Sequence, residues 1–175
     1  LELLGPGNSI YIGLESNLNG GPDGNDNVGV GPNSLKANDG DFNVAIGSSS
    51  METNTDGGGN VALGASTLQF NTVGNSNVAV GFGAQGFNIS GGANVAIGQQ
   101  SLFSNLGGSG NIAIGAAALA LNTNSNANIA IGLNSMGNSI GSTRNIAMGD
   151  SSLQFATASD LVAIGPRALR GNTSG

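Results

Sequence analysis

The sequence predicts an all-β parallel solenoid, because one short element recurs ten times at a nearly fixed spacing and alternates with period two. The element is Asn-Val-Ala-Ile-Gly or a close variant. Its closing glycines are Gly13, Gly31, Gly47, Gly64, Gly81, Gly98, Gly115, Gly132, Gly149 and Gly165. The steps between them are 18, 16, six times 17, and 16 residues. A 17-residue unit is too short for a helical hairpin repeat, and its alternation fits a strand. We expect about ten coils, each contributing one strand.

Nine of the ten elements place a small residue between two apolar ones, alanine in eight and Gly29 in the second, whereas the first element has Tyr11. Val or Ile stands before it, and Ile, Val, Leu or Met follows it. Side chains two residues apart share one face of a strand. We therefore expect the two apolar columns to pack inside the coil, together with a Leu or Met column that stands four residues after most closing glycines. The small residue between them then faces outward.

An outward column of alanine predicts a close neighbour, since solvated strand faces usually carry larger polar side chains. The neighbour we expect is the same strand of other copies of the chain around a symmetry axis. The predicted subunit interface consists of Ala45, Ala62, Ala79, Ala96, Ala113, Ala130, Ala147 and Ala163. The alternative is a thin solenoid whose two inner faces meet, with alanine as filler between them.

Composition argues against catalysis. The chain contains no histidine and no cysteine, so it cannot assemble a Ser-His-Asp triad, a Cys-His pair or a thiolate or imidazole zinc site. Its acidic residues share no period, and aspartate does not recur in the frame of calcium-binding nonapeptide repeats. Hexapeptide acyltransferases, which are also solenoids, rely on a catalytic histidine. We expect no enzymatic activity, no cofactor and no metal site.

Charge and hydropathy exclude other partners. A net charge of -6 and a pI near 4.1 disfavour nucleic acid and anionic membrane surfaces. No window approaches the roughly 18 apolar residues of a membrane span, and the opening Leu-Glu-Leu-Leu-Gly lacks the regions of a signal peptide. We expect an internal piece of a longer protein.

The repeats resemble the head repeats of trimeric autotransporter adhesins, such as the YadA head, and the related repeats of phage-type tail fibres. The resemblance rests on Asn60-Val61-Ala62-Leu63-Gly64, on the run from Asn94 to Leu102 and on their eight relatives. It implies a left-handed parallel β-roll, a homotrimer, a location on a cell or virion surface, and a role in attachment to a glycan or surface protein of a target cell. The 17-residue coil is longer than the repeat typical of YadA heads.

The repeat divides the chain into irregular N-terminal coils at 1–42, regular coils at 43–169 and a terminal tail at 170–175. The N-terminal coils depart from the pattern and hold much of the charge, so we expect them to form a binding tip. The candidate ligand-binding residues are Tyr11, Asp23, Asp26, Asp39 and Asp41. The alternatives are a spacer with no ligand of its own and an ice-binding solenoid, although threonine lacks the regular ranks that ice binding needs.

Two further columns have both a structural and a binding interpretation. Phe70, Phe87, Leu121 and Phe155 stand six residues after their glycines. Such a column closes the edge of a core or, if exposed, receives sugar rings. Asparagine recurs at the seventh position in seven coils, where it forms a hydrogen-bonded stack or lines a groove.

Overall fold

The chain winds into a parallel β-solenoid in the computed structural model, which describes residues 6–17 and 24–173. The described residues form ten strands. They are β1 (Ile10–Ile12), β2 (Val28–Val30), β3 (Val44–Ile46), β4 (Val61–Leu63), β5 (Val78–Val80), β6 (Val95–Ile97), β7 (Ile112–Ile114), β8 (Ile129–Ile131), β9 (Ile146–Met148) and β10 (Val162–Ile164). A short 3-10 turn at Pro6–Asn8 precedes them. The prediction of an all-β solenoid is confirmed.

The ten strands lie in one parallel sheet in chain order, and equivalent residues pair without a shift. At about 4.8 Å between strands, the sheet is about 43 Å long. Each coil takes the number of its strand, so that coil n comprises strand βn and the residues that lead to the next strand. Positions in a coil are counted from its closing glycine.

The alanine column lies inside the solenoid, so the predicted orientation of the strands is wrong. Seven of the eight alanines, including Ala96 and Ala113, are 0% exposed, and Ala163 is 2% exposed. They share the core with the Leu and Met column, such as Leu102. A residue already buried within one chain has no surface left for a second chain, so these alanines do not form a subunit interface. The alternative of a thin solenoid with alanine as filler is the one observed.

The narrowness of the coil explains why the inner residue is small. The third residue after each closing glycine points into the core from the half of the coil opposite the strand. Ser50 Oγ, for example, donates to the carbonyl oxygen of Ala62 at 3.3 Å. At Gly29, even an added Cβ would lie 3.2 Å from Ser34 Oγ. Valine or isoleucine does not fit between the two halves, so the branched residues face outward.

Two asparagine ladders complete the interior. One stands just before each strand from β2 to β9, and the other stands at the seventh position of most coils. Asn94 Nδ2 donates to Asn77 Oδ1 at 3.1 Å and to the carbonyl of Gly108 at 2.9 Å. Asn105 Nδ2 donates to the same carbonyl at 2.7 Å and to Asn88 Oδ1 at 2.9 Å. Apart from the half-buried Asn172 of the last coil, both ladders are buried, so the seventh-position asparagines are stacked inside and do not line a groove.

The closing glycine is required by the spacing of the coils. Gly98 has a φ of 127°, and a Cβ added to it would lie 2.7 Å from the backbone of Gly115 in the next coil. Residues other than glycine rarely adopt this backbone conformation, and the position that a Cβ would take is already occupied by the backbone of the next coil. The glycine lets each coil turn directly above the turn of its neighbour.

The 16-residue steps leave the strands in register because the missing residue comes from an outer corner. In coil 2, Asn38 stacks on Asn54 as in other coils, but only Asp39 separates it from Gly40, which lies against Gly57. In coil 9, Asn145 Nδ2 donates to the carbonyl of Ala158, which lies 13 residues further along the chain. The equivalent bond from Asn94 to Gly108 spans 14 residues. The corner can lose a residue because nothing packs outside it.

Candidate functional site: an aromatic groove on coil 5

The residues of the predicted N-terminal site that the structure describes occupy different places on the first coils. Tyr11 occupies the inner position of β1 and packs against the core cluster. Its ring lies over the next coil, where a Cβ on Gly29 would be 2.9 Å from Tyr11 Cδ1. The glycine at that position makes room for the ring, so Tyr11 covers the N-terminal end of the core.

The acidic candidates lie on the surface of the first coils. Asp26 and Asp39 are exposed, and Asp41 is half-buried. Asp41 Oδ1 accepts a hydrogen bond from the backbone N–H of Asn25 at 2.7 Å, which ties coil 2 to coil 1. Asp23 lies outside the described residues. In the part of the chain that the structure describes, no three Asp or Glu side chains form a group that could hold a metal ion.

Charged contacts between coils are few and lie on the surface. Lys36 Nζ is 2.7 Å from Glu15 Oε2, and Arg144 Nε is 2.6 Å from Asp160 Oδ1. The hydrogen bond from Arg144 lowers the pKa of the Asp160 carboxyl. Neither pair borders a cavity, and both bridge neighbouring coils.

The sixth-position column is exposed and does not close the core. Phe70 is 38% exposed, Phe87 41%, Leu121 42% and Phe155 44%. Phe70 and Phe87 stack with ring centroids 4.9 Å apart and planes 19° apart. Phe87 in turn meets the ring of Phe103 edge to face, with centroids 5.0 Å apart. The three rings form one aromatic ridge across coils 4, 5 and 6.

A groove of about 250 Å³ opens beside this ridge. Its floor is coil 5, where the second and fifth positions are Gly83 and Gly86. In coils 4 and 6 the same positions carry Ser66 with Gln69 and Gln100 with Phe103, which form its walls. Phe82, at the first position of coil 5, also lines the groove. The groove exists because two side chains that the adjacent coils carry are absent from coil 5.

The two glycines keep the groove open in different ways. A Cβ on Gly86 would lie 3.0 Å from Phe103 Cε2, so a side chain there would displace the ring. A Cβ on Gly83 would meet nothing closer than 3.5 Å. Its φ of 63° is close to the 54° of Ser66 and Gln100. A side chain at position 83 would therefore have room and would carry only the left-handed backbone strain that the same position of coils 4 and 6 already carries, and it would occupy the groove.

The polar groups of the groove are uncharged. Gln69 Nε2 donates to Glu52 Oε2 at 2.9 Å, which holds this carboxamide in place. Gln100 is exposed on the opposite wall. The sequence contains no charged residue from 57 to 143. The groove is thus lined by aromatic rings and carboxamides, and no charged residue lines it.

Sequence reasoning identified Phe70 and Phe87 in their column but missed Phe82, Phe103 and the two glycines. The available signal was the run Phe-Gly-Ala-Gln-Gly-Phe at 82–87. When the coils are aligned on their closing glycines, coil 5 has glycine at the second and fifth positions. It also has Gln85 at the fourth position, where most coils have leucine or methionine.

No family model, curated protein or solved structure matches the chain. In the described part of the chain, no helix is long and apolar enough to cross a membrane.

Proposed function

We propose that this chain is a rigid segment of a homotrimeric surface fibre, wound as a left-handed roll, that mediates attachment to a target cell. The observation that carries the proposal is an apolar strip on the outer face of the sheet. The threefold arrangement, the winding and the location on a cell or virion surface are what the resemblance to adhesin and tail-fibre repeats implies.

The apolar strip consists of the two outward residues of all ten strands. In coil 6 these are Val95, which is half-buried, and Ile97, which is 39% exposed. No strand carries a charged or polar residue at either position. With the two columns about 7 Å apart, the strip covers about 300 Å² of flat area. The largest apolar patch on a typical monomeric protein measures about 300–600 Å² and is often a functional surface, so a continuous strip of this size is a candidate for an interaction site.

A second copy of the chain is the occupant that fits the strip best. The strip runs along the whole sheet and repeats at every strand spacing, since equivalent residues pair without a shift. A parallel copy presents the same repeat, so the same contact forms at every level of the rod. A shorter partner would leave much of the strip uncovered.

The assembly is tested by placing a charge on the strip. We expect sedimentation equilibrium to give a trimeric mass for the chain and a monomeric mass for Ile97→Lys, because assembly would bury an unpaired charge in each copy. Leu121→Lys is the matched control, since Leu121 is 42% exposed on the aromatic side of the coil. It should stay trimeric. A monomeric wild-type chain at high concentration would contradict the proposal.

The role in attachment is supported by the form of the rod. Its interior repeats almost unchanged from coil to coil, so most of its length is suited to holding a binding site at a distance. The chain has no histidine or cysteine for catalysis. Binding of the trimer to target cells is the direct test. Absence of binding to any cell or glycan would favour a spacer with no ligand of its own.

A further inference from the structure

We infer that the groove on coil 5 binds one ring of a neutral carbohydrate. The inference rests on the proposed attachment role and gives it a ligand class and a location. It places the binding site in the middle of the rod, on coils predicted to be regular.

The size of the groove restricts its occupant. Pockets for drug-sized molecules measure about 300–1,000 Å³, whereas this one measures about 250 Å³. A ligand of one ring fits, with its substituents extending into solvent. The groove is therefore suited to a single residue of a longer chain of sugars.

The chemistry of the walls favours a sugar ring over a purely apolar group. The face of a phenylalanine ring carries partial negative charge and attracts the C–H groups on the face of a sugar. Phe82 and Phe87, 56% and 41% exposed, border the groove and offer such aromatic surface. The carboxamides of Gln69 and Gln100 lie on opposite walls, and each can donate to or accept from a hydroxyl. An aliphatic side chain of a protein partner would form no hydrogen bond with either carboxamide.

The absence of charge favours a neutral sugar. Carboxylates and sulfates are bound through arginine or lysine. The groove has neither, and the sequence around it has no cation from 57 to 143. Acidic sugars therefore have no partner here.

The groove remains accessible in the proposed trimer. Its lining residues stand at the first to sixth positions after the closing glycine. The second to fifth of these run across the core from the strand, since the third- and fourth-position side chains point inward between them. Covering the outer face of the sheet leaves that half of the coil exposed. Three identical grooves on one rod would strengthen weak binding through avidity.

The test uses saturation-transfer NMR with methyl glucoside, methyl galactoside, methyl mannoside and methyl N-acetylglucosaminide as probes. We expect at least one probe to receive saturation at its ring C–H groups from the wild-type chain. Gly83→Gln introduces into the groove the residue that coil 6 carries at the same position, with a compatible backbone. Its affinity for that probe should fall by more than about tenfold.

The matched control is Ala117→Gln. Ala117 stands at the same second position in coil 7, with a φ of 55°, and does not line the groove. This variant should bind as the wild type does. No transfer to any of the four probes, or equal binding by Gly83→Gln and wild type, would overturn the inference.

Measuring the oligomeric mass of each sample distinguishes a failure of the groove inference from a failure of the proposed trimer. A trimer that binds none of the sugars would refute the groove inference and leave the fibre intact. A monomer whose binding is abolished by Gly83→Gln would refute the trimer and leave the groove.

Discussion

The inner and outer columns of the same coils differ in how much variation they accept. Inside, asparagine, alanine and leucine recur at fixed positions, and each side chain bonds or packs with the coil above and below. Outside, the second position holds Ser66, Gly83, Gln100, Ala117 and Asn134 in five successive coils. The inner columns therefore specify the fold, while the outer positions are free to carry a binding site.

The largest effect is expected from breaking an asparagine ladder in the middle of the rod. Asn94→Ala removes the bonds to Asn77 and Gly108, and also the acceptor of the backbone N–H of Asn111 at 2.9 Å. Leaving that buried donor unpaired should lower the free energy of unfolding by about 3 kcal/mol. Urea unfolding at fixed protein concentration measures the loss. Asn124→Ala, at an exposed corner, is the control and should change little.

A smaller effect is expected from enlarging the core alanine. Ala96→Leu forces three heavy atoms into the narrow space between the strand and the opposite half of the coil, which should destabilise the chain by about 1–3 kcal/mol. Val95→Leu adds bulk to the outward neighbour and should not disturb the monomer fold. Equal losses of stability for the two variants, measured on monomers carrying Ile97→Lys, would contradict the assigned inner face.

The smallest effect, and one of opposite sign, is expected at Gln85. It is 0% exposed in a column otherwise made mainly of leucine and methionine, and its Oε1 has no hydrogen-bond partner. Its Nε2 donates to Asn77 Oδ1 at 3.1 Å, an atom that also accepts two bonds from Asn94. Gln85→Leu should therefore raise the free energy of unfolding by about 1 kcal/mol. Lower stability than wild type, with Gln99→Leu as surface control, would show that the carboxamide has a structural role.

The aromatic column of the candidate site could be predicted from the sequence, but the groove that three coils form together could not. The column of Phe70 and Phe87 follows from counting positions after each glycine. The groove also needs residues 17 and 34 positions apart, such as Ser66, Gly83 and Gln100. Their contact depends on which positions point outward, and the expected orientation of the strands was reversed.

The period, the strand positions and the parallel order follow from the repeated motif, because such a motif can stack on itself with identical contacts at every level. Which face of the strand lies inside depends on how the two halves of the coil pack. The Val-Ala-Ile alternation separates two faces of the strand but does not show which of them is buried. The rule that larger apolar residues are buried favours the valine and isoleucine face, which lies outside. The distance between the strand and the opposite half of the coil determines which face is buried, because it leaves room for alanine beside serine and none for a branched side chain.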